Sequence, residues 1–287
     1  MLAVPRVAPA RSMWAAIGQI GATARAELIM QWRRLGLWVA FGCVTLLLCL
    51  LTVPSAAYLL HPPATSLYAR EHYTQADLIN LMTFSTTTYA AMFLGLVAAL
   101  LVVDRLARDQ RLGAAELLGA TPQGEAPYLV GKVLGNYVAI LGPSLIIYLL
   151  CALVSLPFGW PIALILKFLF AFLLVFVPGS LAGIGLALFL ASFLPVRVVQ
   201  VGFALLWIEF SIGPGWHTLV FTIFNIGGLY VYPIFFPMPP MPYTDPGFQT
   251  SLPLAWLNIG VLLLTGAAAL GLTYVSLRLQ RLRQEGA

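Results

Sequence analysis

The sequence predicts an all-α polytopic membrane protein, and three observations carry that prediction. Hydrophobic residues make up 61% of the 287 and charged ones only 9%, against ~45–50% and ~25% in an ordinary soluble domain, so there are too few charges to cover a water-facing surface. Six long apolar stretches recur, at 36–60, 78–103, 128–154, 162–194, 198–231 and 253–277, each able to cross a hydrocarbon core ~30 Å thick. The few cations sort to one side of those stretches. A single soluble enzyme is excluded on these grounds, and six spans leave no room for a large soluble catalytic domain. The formal net charge of +5 reads as membrane orientation. Nucleic acid is not an expected partner, because few of these cations can gather on one exposed face.

Taken in order, the chain begins with a segment, 12–35, whose Trp14, Ile17, Gly21, Ala24, Leu28, Trp32 and Leu35 follow helical spacing, with Gln19, Thr23, Glu27 and Arg34 opposite. This predicts an amino-terminal helix lying in the membrane interface against lipid, with Arg25 snorkelling towards headgroups. The alternative is an ordinary juxtamembrane helix that touches protein only. With six spans and both termini cytoplasmic, thirteen of the fifteen cations fall on one face: Arg6, Arg11, Arg25, Arg33, Arg34, Arg105, Arg108, Arg111, Lys132, Arg197, Arg278, Arg281 and Arg283. Arg70 lies outside, and Lys167 sits near the outer end of the fourth span, within reach of the interface. The expected location is the cell inner (cytoplasmic) membrane.

The fifth stretch is interrupted by Gly213-Pro214-Gly215. Reading it as two spans would put Arg278, Arg281 and Arg283 on the cation-poor side, so it is expected to be one broken helix. An outer loop, 232–252, follows. Its prolines preclude a regular helix, and Phe235, Phe236 and Tyr243 suit a re-entrant excursion better than full solvation. Gly179 and Gly183 form a GxxxG with Gly185 adjacent, which predicts close helix packing within the subunit.

Catalytic and metal chemistry leaves little trace. Cys43, Cys49 and Cys151 fall inside spans without CxxC spacing and read as small core residues. His61, His72 and His217 form no HExxH, so no metal is expected. There is no GxSxG, and no carboxylate pair at helical spacing within a span. Gly131-Lys132 is the nearest approach to a phosphate loop, but Ala126 and Val133 stand where Gly and Ser/Thr are needed. No cofactor is expected on this chain. ATP-driven work would require ATP and Mg on a partner chain.

The most charged stretch is the cytoplasmic region 104–127, between the second and third spans. Residues from Asp104 to Arg111 carry both signs. Ala114-Ala115-Glu116-Leu117-Leu118 then forms a short helix bounded by Gly113 and Gly119 and stopped by Thr121-Pro122. Such a helix can plug into a groove on a soluble partner and pass force to the adjoining spans; a solvated loop helix is the plainer alternative.

This run resembles the coupling region of type-2 ATP-binding-cassette permeases, whose pattern is close to E-R-E-x-G-T-x-E-x-L, then T-P, then an acidic residue and G-K before the third span. Asp109, Gly113, Glu116, Leu118, Thr121-Pro122, Glu125 and Gly131-Lys132 occupy those places; Gln110 and Arg111 replace the Arg-Glu pair and Ala114 replaces Thr. The resemblance extends to the amino-terminal helix, the six spans and the outer loop. It implies a second permease subunit, in a homodimer or heterodimer, and cytoplasmic ATP-binding subunits docked on Arg105, Arg108, Asp109, Arg111, Gly113, Glu116, Leu117, Leu118, Gly119 and Lys132. It also implies export. The importer permeases, with an E-A-A…G loop loosely echoed by Ala114-Ala115-Glu116 and Gly119, carry that loop late in the chain, whereas here about four spans follow it.

Two features suggest a substrate path. The second span holds Asn80, Thr83, Ser85, Thr86, Thr87, Thr88 and Tyr89, an unusual density of hydroxyls for a lipid-facing helix; helix packing is the competing explanation. In the resembling permeases the second and fifth spans line the dimer interface, which implies Thr83, Thr86, Thr87 and Tyr89 in the path. Glu209, beside Phe210 in the fifth span, is an intramembrane carboxylate, with Lys167 and His217 as candidate partners and a structural ion pair as the alternative. A largely apolar path suits an amphipathic or hydrophobic cargo. A membrane enzyme or assembly factor would instead cluster titratable groups at one depth. A secondary transporter would show several intramembrane charges and an internal repeat, neither of which is evident.

Overall fold

The computed structural model describes residues 13–62, 73–111, 125–211, 222–237 and 250–285; for 104–111, 125, 209–211, 281 and 284–285 it describes the backbone alone. Helices account for all regular structure among these residues. They are α1 (Met13–Trp32), α2 (Leu35–Leu60), α3 (Gln75–Arg111), α4 (Glu125–Ser155), α5 (Ala163–Ala171), α6 (Val177–Ala191), α7 (Val196–Ser211), α8 (Tyr232–Phe235) and α9 (Leu252–Glu285). A 3-10 turn, Leu156–Phe158, ends α4, and a π-helical segment, Phe172–Phe176, joins α5 to α6. Lipid offers backbone groups no hydrogen bonds, so apolar runs of this length must satisfy their own, and a helix does so within one segment. Five runs are long and apolar enough to cross a membrane: Leu35–Leu60, Gln75–Val103, Ala126–Phe158, Ala163–Ala191 and Leu252–Gln280. Val196–Ile208 is apolar but shorter.

The central helix is α3, which packs on α2, α4, α5, the π segment, α6 and α7. Its inward face carries Met82, Leu94, Ala98 and Val103, against Leu48 of α2, Phe168 of α5, Phe176 of the π segment and Ala187 of α6. Small residues set how closely the helices approach. The Trp207 indole of α7 lies between Gly95 of α3 and Gly183 of α6, where a Cβ on either glycine would collide with the ring, and its Nε1–H donates to the Met92 carbonyl at 2.9 Å. Gly185 of α6 faces Gly266 of α9 backbone to backbone. Gly179 abuts the Ile226 carbonyl, so the 179–183 pair is packing within the subunit.

The π turn has a local cause. Pro178 has no N–H to give the Leu174 carbonyl, and its ring would crowd that carbonyl in a regular α-helix; a wider turn relieves both problems. Tyr137 of α4 donates to the Val177 carbonyl at 2.7 Å, satisfying an acceptor at this irregular point.

Among the described residues of the fifth stretch, expected as one broken span over 198–231, helix is present as α7. The Gly213-Pro214-Gly215 interruption lies outside the described residues, and 222–231 forms turns. Gly228 there takes φ +86°, where other residues are strained. At the start of the outer loop, whose prolines were expected to preclude a regular helix, α8 forms a single turn with Pro233 in its first turn, where an N–H is not needed. Side-chain amides hold this segment to the bundle. Asn258 of α9 donates to the carbonyls of Ile223 (2.6 Å) and Asn225 (3.0 Å), and Asn80 of α3 donates to that of Pro237 (2.7 Å). Tyr232 is fully buried between Phe84 and Phe236. Cys151 is buried as expected, but Cys43 faces outward from α2.

Candidate functional site

The region expected to meet an ATP-binding partner starts as a direct continuation of a span. Beyond Val103, where the apolar window closes, α3 runs on unbroken to Arg111. At 1.5 Å per residue the extension is about 12 Å long. It carries Arg105, Arg108, Asp109 and Arg111 on backbone of described helical geometry. Gly113, Glu116, Leu117, Leu118 and Gly119 lie outside the described residues. The chain resumes as helix at Glu125, where α4 begins.

Lys132 departs from expectation. It was grouped with the docking cations, yet it is buried on α4, its ammonium 3.5 Å from the Glu27 carboxylate of α1 and 3.3 Å from the Tyr128 hydroxyl. Around this pair α1 and α4 run side by side in the same direction. Gly131 and Gly135 form a notch into which α1 settles: a Cβ on Gly131 would lie 2.7 Å from the Ile20 carbonyl, and one on Gly135 would strike that of Ala24. One turn further on, Gln31 donates through Nε2 to Asn136 Oδ1, and Asn136 Nδ2 donates to the Lys132 carbonyl at 2.7 Å. Arg34 donates to Gln31 Oε1 at 3.3 Å. The Gly131-Lys132 pair of the family-like pattern is thus a seat for α1.

The same contact gives the polar side of α1 a protein partner. Glu27, on the side away from the apolar stripe, is 3% exposed, whereas Trp14 is 76% exposed and Ile17 50%. A polar residue turns inward when a matching polar group waits across the packing, and here the cation and amide on α4 supply it. The outward apolar face remains available to lipid. Sequence reasoning missed Glu27, Gln31 and Asn136. The signal was present, however: Glu27 and Gln31 have the same i, i+4 spacing as Lys132 and Asn136, so two matched polar pairs sit on single helix faces.

The hydroxyls of the second span divide. Thr83, Thr86 and Thr87 are at most 4% exposed, turned towards the subunit interior, and Tyr89 is 42% exposed. Thr83 donates to the Ile79 carbonyl at 2.8 Å. Thr87 lies beside the Tyr148 and Tyr232 phenols, without a full hydrogen bond to either. Tyr148 packs edge-on to Phe172 of the π segment, ring centroids 5.3 Å apart. The four expected path residues thus differ in setting: Thr83 and Thr87 lie at the joint between α3, α4 and α8, Thr86 is buried, and Tyr89 alone of the four faces out. The side chains of Glu209 and Phe210, near the end of α7, are not described. Lys167 does have a described neighbour, its ammonium standing 5.3 Å from the centre of the Phe236 ring. Among the described residues no three His, Cys, Asp or Glu side chains come close enough to hold a metal.

Residues 21–278 match the family model described as ABC-2 family transporter protein. The chain belongs to this family. It is a multi-pass permease subunit of an ATP-binding-cassette transporter, a membrane transport component. No curated protein matches it significantly. The match takes in α1 from Gly21, the notch on α4 and the five long apolar helices, the last as far as Arg278, so the family assignment covers the residues that position the candidate site.

Proposed function

We propose that this permease exports an amphipathic or hydrophobic substrate, driven by ATP and Mg bound on a separate cytoplasmic ATP-binding subunit, and that it pairs with a second permease subunit. The observation that supports this reading best is the unbroken run of α3 from the apolar window to Arg111. A helix without a break transmits an axial or sideways push, so a partner that grips 104–121 moves the second span directly. Closure of the ATP-binding subunits tilts α3 and, through Glu125, α4, and access to a cavity between the two permeases alternates. The docking surface comprises Arg105, Arg108, Asp109, Arg111, Gly113, Glu116, Leu117, Leu118 and Gly119. Lys132 drops out of it because it is buried against Glu27. Within the cavity, Tyr89 on α3 and Glu209 with Phe210 on α7 contact cargo. Both termini are cytoplasmic in the cell inner membrane, as the sorting of cations requires.

Co-purification tests the reading. The intact permease should bring down an ATP-binding subunit, and deletion of Gly113 to Thr121 should abolish that association while the deletion variant still inserts; an undiminished association rejects the docking assignment. In the assembled complex, Glu209→Gln should reduce substrate-stimulated ATP hydrolysis and transport. If binding, hydrolysis and transport all stay unchanged, Glu209 has no part in the path.

A further inference from the structure

Three hydroxyls meet where α3, α4 and α8 join, and neither the family match nor the transport reading uses them. They belong to Thr87 of α3, Tyr148 of α4 and Tyr232 of α8, each at most 1% exposed. Thr87 lies beside both phenols. Yet neither its Oγ1 nor the Tyr148 Oη meets a hydrogen-bond partner among the described residues. The ordinary remedy is closed to Thr87. A threonine inside a helix bonds back to the carbonyl one turn earlier, as Thr83 does to Ile79 at 2.8 Å. For Thr87 that acceptor is the Thr83 carbonyl, whose two lone pairs go to the helix's own N–H and, at a long 3.4 Å, to the Tyr232 phenol.

Neither phenol is free to swing towards a better partner. Tyr148 is wedged against Phe172 and Phe176, with ring centroids 5.3 and 5.6 Å away, and Tyr232 against Phe84 and Phe236, at 4.8 and 5.0 Å. Packing thus gathers three hydroxyls at one place without letting them satisfy one another. A bare hydroxyl in an apolar joint is costly, and buried polar groups that lack a protein partner are met by ordered water, which makes about three hydrogen bonds in such places. All three groups are neutral and each can both donate and accept, which suits water and not an ion. We infer that this joint binds one buried water molecule. It accepts from the Tyr148 and Thr87 hydroxyls and donates to the Tyr232 oxygen, whose own proton goes to the Thr83 carbonyl. Through this water α8, and with it the 222–237 segment, is tied to α3 and α4.

Radiolytic footprinting of the intact permease in lipid nanodiscs tests this, because a hydroxyl radical formed from a bound water is consumed by the side chain it touches. In wild type, Tyr148 should be oxidised well above background although it is 1% exposed, while Phe168, which is 0% exposed and packed among apolar residues, should stay at background. Tyr148 at the Phe168 level overturns the inference, and this reading needs no variant to fold. Thr87→Val/Tyr232→Phe keeps the volumes and removes two of the three partners, so Tyr148 oxidation should drop to the Phe168 level. Oxidation that persists there comes from solvent entering the joint and overturns the bound water equally. The unfolding midpoint of Tyr148→Phe gives an independent reading by its sign. With water bound, the variant loses a made hydrogen bond and the midpoint should fall by about 2–4 °C. Removing a bare hydroxyl would relieve the fold instead, so a midpoint that rises or stays unchanged also overturns the inference. None of these readings involves an ATP-binding subunit or a substrate, so they stand apart from the transport reading.

Discussion

Removal of the Lys132 ammonium is the most decisive perturbation of this fold. At 3.5 Å and an effective dielectric constant of about 20, the attraction between Lys132 and Glu27 is about 5 kcal/mol. Desolvation offsets much of it, so the pair as a whole contributes little net stability. The asymmetry matters more. The side chains are only 7% and 4% exposed, and Lys132→Met strands a carboxylate in an apolar joint, at a cost of about 3–5 kcal/mol. At ~2–4 °C per kcal/mol for a chain of this size, the midpoint of thermal unfolding in detergent should fall by roughly 10 °C. Glu27→Gln/Lys132→Met, which removes both charges and keeps the volumes, should recover most of the loss. Two results refute the reasoning: an unchanged midpoint in Lys132→Met, or a double variant as unstable as the sum of the two single ones. Were Lys132 a docking residue instead, Lys132→Met would leave the midpoint alone and weaken only the association with the ATP-binding subunit.

Two further expectations follow from packing. Gly135→Ala pushes a methyl group into the Ala24 carbonyl and should lower stability by about 1–3 kcal/mol; Gly18→Ala, which meets open space, should leave the stability unchanged or raise it by about 0.5–1 kcal/mol, the gain of alanine over glycine in a helix. Asn258→Leu strips a donor from the buried carbonyls of Ile223 and Asn225, each worth about 1–3 kcal/mol when left bare, and hydrogen exchange should accelerate across 222–237 while α1 and α4 keep their protection.

Particular residues show what was legible in the sequence. The long helices were, because the period and length of an apolar run are local properties and lipid permits few other structures. Gly183 was correctly read as packing, but its partner, Trp207, was not evident. The knob that fills a glycine notch belongs to another helix, and one sequence offers no means of pairing them. The threonines of α3 show the same limit. A hydroxyl-rich face looks alike in sequence whether it meets a pathway or a second helix, and only the tertiary structure brings Tyr148 and Tyr232 beside Thr83 and Thr87. Lys132 misled because a cation near a span end satisfies the positive-inside pattern whether it faces water or is paired inside.

By itself, the sequence determined that this chain is an all-helical membrane protein with the build of a type-2 permease, since scarcity of charge, length of apolar runs and the spacing of the 104–125 region are all readable along one dimension. Only the tertiary structure decided which way each polar side chain turns. Glu27 faces Lys132, Thr87 faces the Tyr148 and Tyr232 phenols, and Tyr89 faces out, because the energy of a buried polar group depends on the partner that packing brings to it from elsewhere in the chain.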